Sequence, residues 1–191
     1  MIYNERPFAM RHFEVNCEEM MFYQYLPIKL ANLGGQHIEE RLSPFKEIIH
    51  ECFIDFIEAF GIDEFNARYI YVTAKHLFQP EGYSFNRFGC HSDGFMTDDI
   101  NYIWSNKSPT LFNHCVFDLT PDDEVSIREM SEQWDDSKEY SFAPGTLLRL
   151  NERVIHKVNE ESSSGLRTFL KVSFSRDKYD LKGNSINRLN C

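Results

Sequence analysis

A chain of 191 residues with a formal net charge of −10 and a pI near 5.1 is long enough for one substantial core and too short for two comfortable domains. Its acidity opposes sequence-independent attraction to phosphate backbones or anionic lipid, and 42% hydrophobic content with 17 Phe and 9 Tyr excludes a disordered chain. No stretch approaches membrane-spanning length, and the opening MIYNERPFAMRHFEV carries early charges without an apolar segment, unlike a signal peptide.

The expectation is therefore a single domain over 1–191 in the cytoplasm, with no membrane partner and nucleic acid disfavoured, its oligomeric state open. Five cysteines, at 17, 52, 90, 115 and 191, form an odd set without C-x-x-C, which points to free thiols. Cys90 beside His91 does not make a nucleophilic pair, because adjacent strand residues point to opposite faces.

In chain order, residues 1 to about 67 are expected to be a helical support. Its clearest element is SPFKEIIHECFIDFIEAFG, with Ser43 as cap, Pro44 in the first turn and Gly61 as the stop. Phe45, Ile48, Ile49, Cys52, Phe53, Phe56, Ile57 and Phe60 form one apolar stripe, and His50 lies off it. From about 68 to 178 the pattern changes to short alternating runs: RYIYVTAKHLF, YSFNRFGCHSDGF, INYIWSN, TLFNHCVFDL, GTLLRLNERVIHKV and RTFLKVSFS. Turn chemistry separates them, including a hairpin loop at EESSSG, residues 160–165. One helix interrupts, TPDDEVSIREMSEQ, with Thr120 expected to cap, Pro121 at the first position and Asp123 completing the cap. Strands with crossings too short for parallel units imply a mainly β, α+β fold: an antiparallel sandwich or barrel braced by helices.

Residues able to carry chemistry fall on these strands. On a strand, His91 and Asp93 would leave one face about 6.6 Å apart and could converge on a metal ion. Alternatively, Asp93-Gly94 makes a turn and His91 is a surface residue. His156 follows on another strand, as a third ligand or as a satisfied hairpin histidine. Arg167 is a cationic fork in an otherwise apolar strand and needs an anionic partner, either a protein carboxylate or a ligand carboxylate. Tyr69, Tyr71, Thr73 and Lys75 share one strand face, which either lines a cavity or meets solvent.

H-x-D, a long interval, His, and Arg about ten residues later, here CHSDGF, VIHKV and GLRTFLKVSF with PGTLLRL before VIHKV, resembles the iron(II)- and 2-oxoglutarate-dependent dioxygenases over roughly residues 68–175. No serine stands two after Arg167, as in some branches of that family, and the tail DKYDLKGNSINRLNC matches no pattern of it. The resemblance implies a double-stranded β-helix, or jelly roll, with His91, Asp93 and His156 as ligands of Fe(II) and no catalytic residue beyond them. It further implies 2-oxoglutarate as co-substrate with O2, Arg167 on the distal carboxylate and Lys75 or Tyr71 assisting. The activity implied is hydroxylation or other oxidation of a small or peptide-linked substrate, with Asn86, Arg87 and Trp104 as candidate contacts. His114 is the rival distal ligand, but Arg128 after it falls in a helix, while His12, His37 and His76 lack a carboxylate at ligand spacing. Two other classes remain: a jelly-roll binding protein without turnover, and a cupin-like metal-dependent hydrolase or isomerase, which has no general need for Arg167.

Overall fold

A computed structural model describes residues 1–83, 85–160 and 163–190. The thiol of Cys191 and the centre of the 160–165 loop lie outside the described residues. Among the described residues the strands are β1 (Ile2–Tyr3), β2 (Phe8–His12), β3 (Met21–Lys29), β4 (Tyr69–Gln79), β5 (Ile100–Ser105), β6 (Leu111–Asn113), β7 (Phe117–Asp118), β8 (Glu139–Tyr140), β9 (Thr146–Asn151), β10 (His156–Lys157) and β11 (Gly165–Ser175). Three α-helices accompany them: α1 (Lys46–Phe60), α2 (Ile62–Ala67) and α3 (Asp123–Gln133). None of the described helices is long and apolar enough to cross a membrane.

Six strands form one antiparallel sheet in the order β2-β9-β5-β11-β4-β3, and a smaller sheet runs β10-β6-β8. The central strands of the large sheet, β4, β5 and β11, alternate as period-2 strands must. Leu170, Val172 and Phe174 of β11 with Ile70, Val72 and Ala74 of β4 face α1 and join its stripe in the main core. Phe56 stacks on Phe174 at 4.2 Å, while Tyr102 and Arg149 both reach Asp55 of α1. On the opposite face Ile103, Leu148, Leu150 and Phe169 pack with Phe112 and Val154, so the small sheet covers the large one. Two facing antiparallel sheets with a helix on the outer face make the β-rich double-stranded β-helix.

Four sequence expectations are corrected. The N-terminal third is not only helical support, because β2 and β3 are the two edges of the large sheet. The run around Ser43 and Pro44 is a 3-10 turn, Glu40–Phe45, and α1 begins at Lys46 without a side-chain cap; the chain turns tightly before Phe45 reaches the core. Gly61 does end α1, at φ +93. Asp122, not Thr120, caps α3, accepting from the amides of Glu124 and Val125, whereas Thr120 donates to Glu129. Residues 85–95 are not a strand: Gly89 and Gly94 take φ +79, and among them only His91 pairs, through a single bridge to His156.

Burial predicts cost. Phe56 is fully buried against Phe174, whereas Ile54 on the same helix is 54% exposed. Phe56→Ala should lower the free energy of urea unfolding by about 3–5 kcal/mol, and Ile54→Ala by less than about 1 kcal/mol.

Candidate metal centre

His91 and His156 exchange both backbone hydrogen bonds, N to O at 2.9 Å in each direction. That pairing sets the two imidazoles 4.5 Å apart between centroids. The ring Nδ1 of His91 lies 2.9 Å from the Gly89 carbonyl and that of His156 lies 3.1 Å from the Val154 carbonyl. A carbonyl can only accept, so each Nδ1 carries the proton and each Nε2 keeps its lone pair. This is the tautomer, and the orienting contact, that metal-binding histidines require.

Asp93 comes from the turn after His91 rather than from a shared strand face. Gly94 makes that turn possible: at φ +79, a Cβ would lie 2.6 Å from Thr97 Oγ1 and 2.7 Å from Asp99 Cβ. The turn and the convergence therefore coexist. One donor atom from each of His91, Asp93 and His156 lies within 4.8 Å of the others. Two neutral imidazoles and a carboxylate form a donor set suited to a divalent transition metal with positions left open. All three line a cavity of about 150 Å³ between the sheets, together with Tyr25, Thr73, Lys75, Arg87, Phe169 and Lys171.

Lys171 was not anticipated, although its place four residues after Arg167 on β11 put both cations on one strand face. Its Nζ lies 2.7 Å from Asp93 Oδ2, which His156 Nε2 approaches at 3.5 Å. Burial works against ionising Asp93, but the charges facing it, the Lys171 ammonium foremost, outweigh burial and hold the carboxyl well below its ordinary range. Burial likewise opposes the charge on Lys171, and Asp93 outweighs it, so the ammonium is held above its usual pKa. His91 is pushed down to about 4, first by burial and then by His156, and stays neutral and ready to ligate.

Lys75 lines the same cavity and binds only neutral oxygens, the carbonyl of Phe85 and Asn86 Oδ1. Burial, then Arg167 and Lys171, lowers it to about 8. Arg167 is buried on the cavity side of β11 but does not reach the lining itself. It donates to the carbonyls of Lys107 and Ser108, lies 5.1 Å over Phe169, and is lowered to about 10 by burial. Among the described residues no carboxylate pairs with it, which leaves the ligand-carboxylate alternative standing.

The remaining candidates separate plainly. Arg87 and Asn86 line the cavity. Tyr71 lies away from it, accepting from the amide of Tyr179 and stacking on that ring at 4.4 Å. Trp104 packs edge-on against Phe45 of the 3-10 turn in the main core, its Nε1 donating to the carbonyls of Phe13 and Gly145. His114 is exposed, stacks on Tyr140 at 4.2 Å and does not line the cavity that His156 lines. Tyr25 on the cavity wall was also missed; it sits at a break in the β3–β4 register with φ +47, its amide bonded to Thr73 Oγ1.

No protein-family model and no curated protein matches the chain. Among solved structures it is similar to the crystal structure of EvdO2 from Micromonospora carbonacea var. aurantiaca, at 15% identity and TM-score 0.42, over 73% of this chain and 69% of that one. The EvdO2 structure complexed with 2-oxoglutarate gives 14% identity and TM-score 0.42, over 74% and 68%. A likeness of that size leaves the reading of the site to the chain's own geometry.

Two measurements on metal-free protein follow. His91 has its folded pKa depressed, so its contribution is present above its ordinary 6.5 and is lost as pH falls through about 4. Unfolding free energy should drop by up to about 3 kcal/mol across that window, and His91→Gln should flatten this part of the slope. Lys171→Met strands the buried Asp93 carboxylate and should cost about 3–5 kcal/mol in urea unfolding, a loss that added divalent metal should partly restore.

Proposed function

We propose that this chain is an iron(II)- and 2-oxoglutarate-dependent oxygenase that oxidises a small or peptide-linked substrate. The observation that carries the reading is the convergence of His91, Asp93 and His156 in a cavity whose other charged groups are mostly cations. His91 and His156 offer their Nε2 atoms, the rings being oriented by their Nδ1 contacts, and Asp93 supplies the anionic donor. Bound there, iron(II) with 2-oxoglutarate and O2 would supply oxidative decarboxylation to succinate and carbon dioxide, coupled to oxidation of the substrate.

The protein's own part is to bind and orient. Lys75 and Arg167 offer charge to the distal carboxylate of the co-substrate, and neither is matched by a protein carboxylate among the described residues. Lys171 holds Asp93 ionised and aimed at the two imidazoles. Ile103 and Phe169 give the cavity an apolar wall that limits water beside the reacting groups.

The Asp93–Lys171 pair favours one second reading, a jelly-roll binding protein in which the ammonium takes the place of a metal. Anaerobic addition of iron(II) and 2-oxoglutarate separates the two. The oxygenase reading expects a visible charge-transfer band, abolished in His91→Ala; no band at saturating concentrations would favour the binder. Arg167→Lys should weaken 2-oxoglutarate binding by roughly ten- to hundred-fold, with iron affinity nearly unchanged. A fall in thermal stability alone would make Arg167 a structural residue.

A further inference from the structure

The metal cavity shares a wall with a second one of about 260 Å³, lined by Ser92, Gly94, Phe95, Asp123, Ser126, Ile127 and Met130, and His91 and Arg87 face both. Arg87 is exposed at this junction and makes no ion pair among the described residues.

The charges along the cavity can be matched one by one. Lys157 is neutralised by Glu139, with Asp136 at 3.5 Å, and Lys171 by Asp93. Among the described residues Lys75 has neutral partners only, and Arg167 behind it has carbonyls only. A 2-oxo diacid, with its distal carboxylate toward those two, would satisfy that end of the site and leave Arg87 unmatched. A guanidinium exposed at the mouth of both cavities, with no ion pair among the described residues, can receive an anion through a charge-assisted contact that solvent screens in part.

We propose, resting on the oxygenase reading, that the primary substrate carries a negatively charged group, a carboxylate or a phosphate, received by Arg87 at the junction of the two cavities. The rest of the substrate then extends along the shared wall toward His91. The net charge of −10 and Asp123 on the wall of the second cavity oppose anions in general, so Arg87 selects its ligand only at close range.

The test uses the full-length, metal-free chain, so that it does not depend on iron or 2-oxoglutarate. Phenylglyoxal labelling of Arg87 is followed by peptide mass spectrometry with inorganic phosphate, acetate or glycerol at matched ionic strength, and exposed Arg6 serves as the internal control. Phosphate or acetate should slow labelling of Arg87 about fivefold once present at about four times its Kd, with Arg6 and the glycerol arm unaffected. Whichever anion protects better names the class of group. Lys75→Met should leave that protection within about twofold, because the anion sits on Arg87. Equal labelling in all arms would overturn the proposal. So would loss of protection in Lys75→Met, which would place the anion in the co-substrate position. A missing charge-transfer band with intact protection would instead refute the oxygenase and keep the anion site.

Discussion

One antiparallel residue pair organises the site. His91 and His156 come from segments far apart in the chain, and their reciprocal backbone hydrogen bonds fix the separation of the two rings before any ligand arrives. The pairing continues through β10 to β6 and β8, so the histidines stand at the margin of the small sheet, facing the inner side of the large one. Each ring is then oriented by a carbonyl two residues earlier in its own segment, Gly89 for His91 and Val154 for His156. Backbone geometry thus sets spacing, tautomer and direction together. Side-chain packing has only to keep the sheets in place.

The same economy governs the buried charges. Asp93 lies among two imidazoles and one ammonium, and its pairing with Lys171 lets both ionise in a place where either alone would be costly. A divalent ion entering the triad would compete with Lys171 for the carboxylate. The ammonium is therefore a counter-charge for the metal-free protein and a cationic wall for the loaded one, which distinguishes it from Lys75 and Arg167, whose partners are all neutral.

Much of this was legible locally. The stripe of α1 and the alternation of β4, β5 and β11 follow from periodicity alone, and the order of His91, Asp93, His156 and Arg167 survives whatever the strand boundaries are. What could not be read depends on tertiary context. The 83–95 segment alternates like a strand, but Gly89 and Gly94 turn it, and the turn delivers Asp93 to the histidines. β2 and β3 are edge strands whose register is broken, and Tyr25 in the left-handed region interrupts the alternation that would have revealed β3. Lys171 was visible by strand parity with Arg167, yet its partner lies in a loop whose position no local pattern announces.

Burial depresses Lys75 to about 8 and Arg167 to about 10, so the folded chain holds these cations at a cost that hydrogen bonds to carbonyls offset only in part. An anionic ligand removes that cost when it binds, and the free energy released adds to its affinity instead of being spent on reorganising the protein. Neutral ligands of the same shape would gain nothing from it. Discrimination of that kind would reside in the cations that the fold pairs only with neutral oxygens among the described residues.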